Sequence, residues 1–185
     1  MIHKTAIVVS NAKVSSSVKI GAYSVIGPNV EIGDDTIIHS QVNITVNTKI
    51  GNGNKIYPFA SIGNDPQDLK YNGEETKLVI GNNNKIREYV TIHPGTSGGG
   101  KITKVGDNCI VAGQVGFAGS STLGNHVMIG GQSGISGHLK ICNNVQIVGG
   151  SGVIKDISDN SKVMGYPAKN LKNFIRENKW FTKQQ

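Results

Sequence analysis

The chain has 185 residues, which suits one ordinary domain with a real core and leaves little room for two. Aromatic residues make up only 5%, against 25 glycines and 5 prolines, so the core is built from Ile and Val and the turns from Gly; strands and tight turns fit this better than a helical bundle. The formal charge of +7 suits an acidic or phosphate-bearing partner, while the scarcity of base-stacking rings argues against a nucleic-acid binder.

The N-terminal segment "MIHKTAIVVSNAKV" lacks the long apolar core of a signal peptide, and no run is apolar enough to span a membrane. Cys109 and Cys142 stand far apart without metal-ligand spacing, so both read as core-filling thiols and no metal site is expected. A reduced, cytoplasmic protein without membrane insertion follows.

From Ile2 onward an apolar residue returns every six positions: Val8, Val14, Ile20, Ile26, Ile32, Ile38, Ile44, Ile50, Ile56 and Ile62. The same register resumes at Ile80, Ile86 and Ile92. After a slip of one residue, a second series runs from Val105 through Val111, Phe117, Leu123, Ile129, Ile135, Ile141 and Ile147 to Val153. Six steps of about 100° leave an α-helical side chain about 120° from its starting face, so a helix cannot carry this period. Short strands separated by fixed corners can. Three hexads close one triangular coil, and coils stack about 4.8 Å apart with the apolar residues in internal ladders. Gly commonly follows the apolar residue, as in "KIG" and "TLG", and the residues next to it are often Asn, Asp or Gly, which suit the special backbone angles of a corner.

Two segments interrupt the repeat. Residues 64–77, "NDPQDLKYNGEETK", leave the coil without shifting its register; residues 93–103, "HPGTSGGGKIT", shift it by one. Insertions in solenoids gather on one face, often the binding face. At the far end "GYPAKNLKNFIRENKWF" breaks the period: Pro167 suits a first helical position, and Leu171, Phe174, Ile175 and Phe181 fall near one helical face. The expected organisation is a β-helix domain over 1–157 of roughly eight coils, and a C-terminal extension over 158–185 whose single helix covers the last coil. Basic residues gather toward the C-terminus, namely Lys155, Lys162, Lys169, Lys172, Arg176, Lys179 and Lys183.

The hexad pattern resembles the hexapeptide-repeat family. That resemblance implies an all-β, left-handed parallel β-helix with a short C-terminal α-helix; periodicity alone does not set the hand, and ordinary crossovers favour the opposite one. The ordered set "QDLKY", "IRE", "TIH" and "GGG" within residues 59–108 resembles the acyl-carrier-protein:UDP-N-acetylglucosamine O-acyltransferases. Residues 111–176, with "VGFAGSSTLG" and "KVMGYPAKNLKNFIRE", resemble the related UDP-3-O-acylglucosamine N-acyltransferases, so the chain reads as a mosaic.

These resemblances imply a homotrimer of lipid A biosynthesis with sites between subunits, a UDP-glucosamine derivative as acceptor and acyl carrier protein as donor and partner. No bound cofactor is implied, and the "GYPAK" ending keeps acetyl-CoA open as another donor. They place Asp68, Lys70 and His93 on the substrate side and His138 in a matching coil position. The family's general-base histidine falls on Gly119, inside "VAGQVGFAGSSTLG", which holds no titratable side chain. Acylation needs a group that takes a proton near neutral pH, so His138 becomes the base candidate, with His126 a second. A catalytically silent, sugar-nucleotide-binding trimer or scaffold is the alternative from another class.

Overall fold

The computed structural model describes residues 1–45 and 47–178. Strands of two to four residues form three parallel sheets that are the faces of a triangular prism. Among the described residues the first face has eight strands, from Ile7–Val8 through Val25–Ile26, Asn43–Ile44, Ser61–Ile62, Thr91–Ile92, Gly116–Phe117 and Gly134–Ile135 to Gly152–Val153. The second has seven, from Lys13–Val14 to Lys140–Ile141, and the third begins at Lys19–Ile20. Up to Gly152–Val153 each strand pairs with the one three places before it, so the coils sit in register on one another.

The six-residue period arises from this geometry. In each pair the second residue points inward, and every member of the two series from Ile20 to Val153 is buried. Val8 and Val14 are only partly covered, because the first coil is open to solvent on one side. The corners turn through a left-handed residue placed three after the inward one: Asn29, Asp35 and Gln41 show φ of 56°, 55° and 60°. Asn and Asp tolerate this conformation best, but the corner demands it even of His126 (56°) and His138 (65°).

The glycine after the inward residue meets a separate demand. Gly33, Gly51, Gly81, Gly106 and Gly124 have ordinary φ, and the left-handed slot lies two residues later. They are glycine because coils touch there: a Cβ on Gly51 would lie 2.8 Å from the Gly81 carbonyl oxygen. This close edge, between the second and third faces, carries a ladder of side chains. The amides of Asp34, Asn52, Asn82, Asp107, Asn125 and Asn143 each donate to the Oδ1 of the next member, ending at Asp159, over 2.6–2.9 Å. Behind it, fully buried Asn54 accepts from the Asn84 amide at 2.9 Å, and Asn84 accepts from the Cys109 amide at 2.7 Å.

The C-terminal end departs from expectation. Lys162–Met164 adds a further parallel rung to the third face, so the coil continues past residue 157. Lys169–Asn170 then folds back antiparallel on it. Pro167 follows a cis peptide bond and does not start a helix. The helix is Leu171–Glu177, capped by the Asn170 side chain, which accepts from the Lys172 amide at 3.0 Å. It packs on the hairpin without burying any residue fully, and Phe174 lies against Gly165. Phe181, Lys179 and Lys183 lie outside the described residues.

Candidate active site

Both insertions leave the same edge of the prism, between the first and second faces. One joins Ser61–Ile62 to Lys77–Ile80; the other joins Thr91–Ile92 to Ile102–Val105, which ends the second loop two residues earlier than its sequence suggests. Exactly one coil separates them, a signal already present in the spacing of Ile80, Ile86 and Ile92. Stacked loops enclose a cavity of about 660 Å³ on the first face, and its lining includes Asp68, Lys70, His93, Gly119 and His138. The residues singled out from sequence thus meet in one place. His126 does not line the cavity; it sits at the edge between the second and third faces.

The first loop presents Lys70 through a tight turn. Asp68 Oδ1 accepts from the Lys70 amide and the Asp68 carbonyl accepts from the Tyr71 amide, both at 2.9 Å. Asp68 is thus half-exposed and partly spent on shaping the turn, while Lys70 is exposed at the cavity mouth. Glu74 ties this loop to the next. Its carboxylate accepts from the amides of Asn72 at 2.8 Å and Ser97 at 2.9 Å, and these donors, Asn72 first, pull the carboxyl down to about 2.

His93 is sunk in the wall, 9% exposed. Its Nδ1 lies 2.9 Å from the Asp65 carbonyl oxygen and 3.1 Å from that of Asn64, so the ring also binds the first loop. His138 differs: it is exposed, its amide donates to the Gly119 carbonyl at 3.2 Å, and its ring has no hydrogen-bond partner among the described residues. Its Nδ1 lies 2.6 Å from where a Cβ on Gly99 would stand, so the short 3₁₀ turn Ser97–Gly99 rests against it.

Gly119 owes its identity to the second loop. A Cβ there would collide with the Pro94 carbonyl oxygen. The loop is held down by the Thr96 amide donating to Ser120 Oγ and the Ser120 amide donating to Thr103 Oγ1, each at 2.8 Å. Sequence reading missed Glu74, Thr96 and Ser120, whose roles appear only once the loops touch. It also missed the cavity floor: outward positions Gly116, Gly134 and Gly152 stand in register, and the Tyr166 ring lies over Gly152 at one end. Gly in three outward slots of one face was the available signal.

Among the described residues no group of three His, Cys, Asp or Glu is arranged to hold a metal ion, and no helix is long and apolar enough to cross a membrane.

Residues 2–45 match the family described as bacterial transferase hexapeptide (six repeats). A UDP-N-acetylglucosamine O-acyltransferase (LpxA) structure from Moraxella catarrhalis superposes with a TM-score of 0.76 at 42% identity, covering 96% of this chain and 77% of that one. The chain belongs to the UDP-N-acetylglucosamine O-acyltransferase family. The Francisella novicida UDP-N-acetylglucosamine acyltransferase superposes with a TM-score of 0.87 at 31% identity, covering 96% of this chain and 73% of that one. Membership carries the hand of the coil with it: the prism is a left-handed parallel β-helix. Among curated proteins, the acyl-[acyl-carrier-protein]–UDP-N-acetylglucosamine O-acyltransferase of Rickettsia peacockii is 40% identical over 107 residues, 58% of this chain. The chain spans 40% of the length of that relative.

Proposed function

We propose that this chain is an acyltransferase that moves an acyl group from acyl carrier protein to a UDP-glucosamine derivative, the step its relatives are named for, in cytoplasmic lipid A synthesis. The observation that carries this reading is the single cavity in which Asp68, Lys70, His93 and His138 converge beneath two stacked loops. Lys70, at the mouth, suits the diphosphate of a sugar nucleotide as a mobile point charge. Asp68 braces the turn that presents it and has its second carboxylate oxygen left for a sugar hydroxyl. The strip of Gly116, Gly134 and Gly152 leaves a narrow apolar floor on which an extended acyl chain can lie, with Tyr166 at its end. The imidazoles of His93 and His138 both line the cavity wall, and imidazole is the side chain suited to general-base work.

The exposed cations Lys162, Lys172 and Arg176 near the hairpin and helix suit an acidic carrier protein through long-range steering. Coenzyme A thioesters are a second donor class, for which the same floor serves. The cavity is open on one side, as a site shared between subunits of a homotrimer would be.

Gly119 favours a second reading, in which the trimer binds the sugar nucleotide without acting on it. Mass-spectrometric detection of product separates the two. The protein is incubated with acyl carrier protein thioester or acetyl-CoA, and with UDP-N-acetylglucosamine or its 3-O-acyl glucosamine derivative. Acylated nucleotide supports the enzyme; a folded protein that binds UDP-N-acetylglucosamine and forms none supports the silent trimer.

A further inference from the structure

We infer that His93, not His138, is the general base of this site; the inference rests on the acyltransferase reading above. The two carbonyl oxygens beside Nδ1, those of Asp65 and Asn64, can only accept, so Nδ1 carries the hydrogen and donates to both. In the neutral ring the lone pair is then on Nε2. Nε2 makes no hydrogen bond among the described residues, and no buried side-chain nitrogen or oxygen lacks a partner. The lone pair therefore reaches solvent, and the solvent beside His93 is that of the cavity. His138 has neither an orienting partner nor a fixed tautomer.

The position of Gly119 explains why the imidazole comes from here. The His93 amide donates to the Phe117 carbonyl at 3.1 Å, which puts His93 on the rung beside residues 118 and 119. The loop that His93 begins lays its Pro94 carbonyl where a side chain at 119 would stand. One segment thus closes the space to a histidine at 119 and supplies an imidazole one coil away, a displacement of about 4.8 Å.

In the step this assigns, Nε2 takes the proton of the acceptor hydroxyl as its oxygen bonds to the thioester carbonyl carbon. The tetrahedral intermediate collapses with cleavage of the C–S bond, and the imidazolium returns the proton to the leaving thiolate. Alcohol and thioester become ester and thiol, with nothing oxidised or reduced.

His93→Asn is the diagnostic variant, because the Asn amide nitrogen replaces Nδ1 and keeps the two loop hydrogen bonds while removing Nε2. Turnover of acyl carrier protein thioester with UDP-N-acetylglucosamine should fall by about 10²- to 10⁴-fold with the acceptor KM little changed, while His138→Ala should cost less than about tenfold. Imidazole nitrogen-15 NMR of the unliganded protein supplies a readout independent of turnover. The expected spectrum has the His93 hydrogen on Nδ1, and a hydrogen found on Nε2 overturns the assignment. Product formation that survives His93→Asn and is lost in His138→Ala overturns the role of His93 alone. Absence of product from folded wild-type protein that binds UDP-N-acetylglucosamine overturns the acyltransferase reading and the base together.

Discussion

Two edges of the prism are made from the same hexads and end as opposites. Between the second and third faces, coils approach so closely that glycine is the residue that fits, and Asn or Asp links each coil to the next. The backbone amides of Asp34, Asn52, Asn82, Asp107, Asn125 and Asn143 are all spent there within the protein. Between the first and second faces, two loops push outward, and what they enclose is a cavity with an unpartnered imidazole nitrogen and an exposed lysine. The comparison teaches that a solenoid divides its labour by edge: a ladder that satisfies itself confers stability, and an interrupted ladder leaves groups free for a ligand.

The largest expected effect breaks the closed edge. Asn84→Ala removes the acceptor of the buried Cys109 amide and the donor to the Gly106 carbonyl, each at 3 Å or less. Two buried groups left unpaired should lower the unfolding free energy by about 3 kcal/mol, measured by urea denaturation. An equal loss from Lys70→Ala would remove the distinction between edges.

Next comes a test of whether the looped edge can accept a side chain. Gly119→His, which places a histidine where the family carries its base, must displace the Pro94 carbonyl. It should cost about 2 kcal/mol and give no gain in turnover. A more active, equally stable variant would show that the loop yields freely.

Lys70→Ala should leave stability within about 0.5 kcal/mol of wild type, since Lys70 is exposed. Losing a charged contact to phosphate should raise the KM for the sugar nucleotide about tenfold, read from initial rates.

Glu74 sharpens the comparison through pH. Its carboxyl is lowered from 4.5 to about 2, so its hold on the loops is complete above about 4.5 and is lost as pH falls through about 2. At neutral pH, Glu74→Gln should speed hydrogen exchange at the Ser97 amide a few-fold, by NMR, without altering exchange at Asn84.

The smallest effect concerns Cys109, behind the closed edge, where burial pushes the thiol up to about 11. It should stay unmodified by a thiol reagent at pH 8 on the timescale of minutes and react only as the whole protein unfolds.

Much of this was legible in the sequence because it is local or strictly periodic. Ile26, Ile44 and Ile62 recur at fixed intervals, and only a coil that stacks on itself buries all of them. Asp68, Lys70 and His93 were picked out through the family resemblance that "QDLKY" and "TIH" carry, not through periodicity. The part played by Glu74 could not, because Glu74 and Ser97 are 23 residues apart and their bond depends on where two irregular loops come to rest. Pro167 misled for a related reason: the chain after it returns antiparallel as Lys169–Asn170 on the Lys162–Met164 rung.

By itself the sequence determined the triangular coil, its apolar ladders and the places where the coil is interrupted, since a six-residue period has one compact solution. Tertiary structure alone decided that the two interruptions share an edge and touch, that glycine at 119 makes room for a carbonyl, and that His93 turns one nitrogen inward and the other toward the cavity. Those outcomes depend on contacts between segments whose separation along the chain follows no period, and a period is what the sequence displays most plainly.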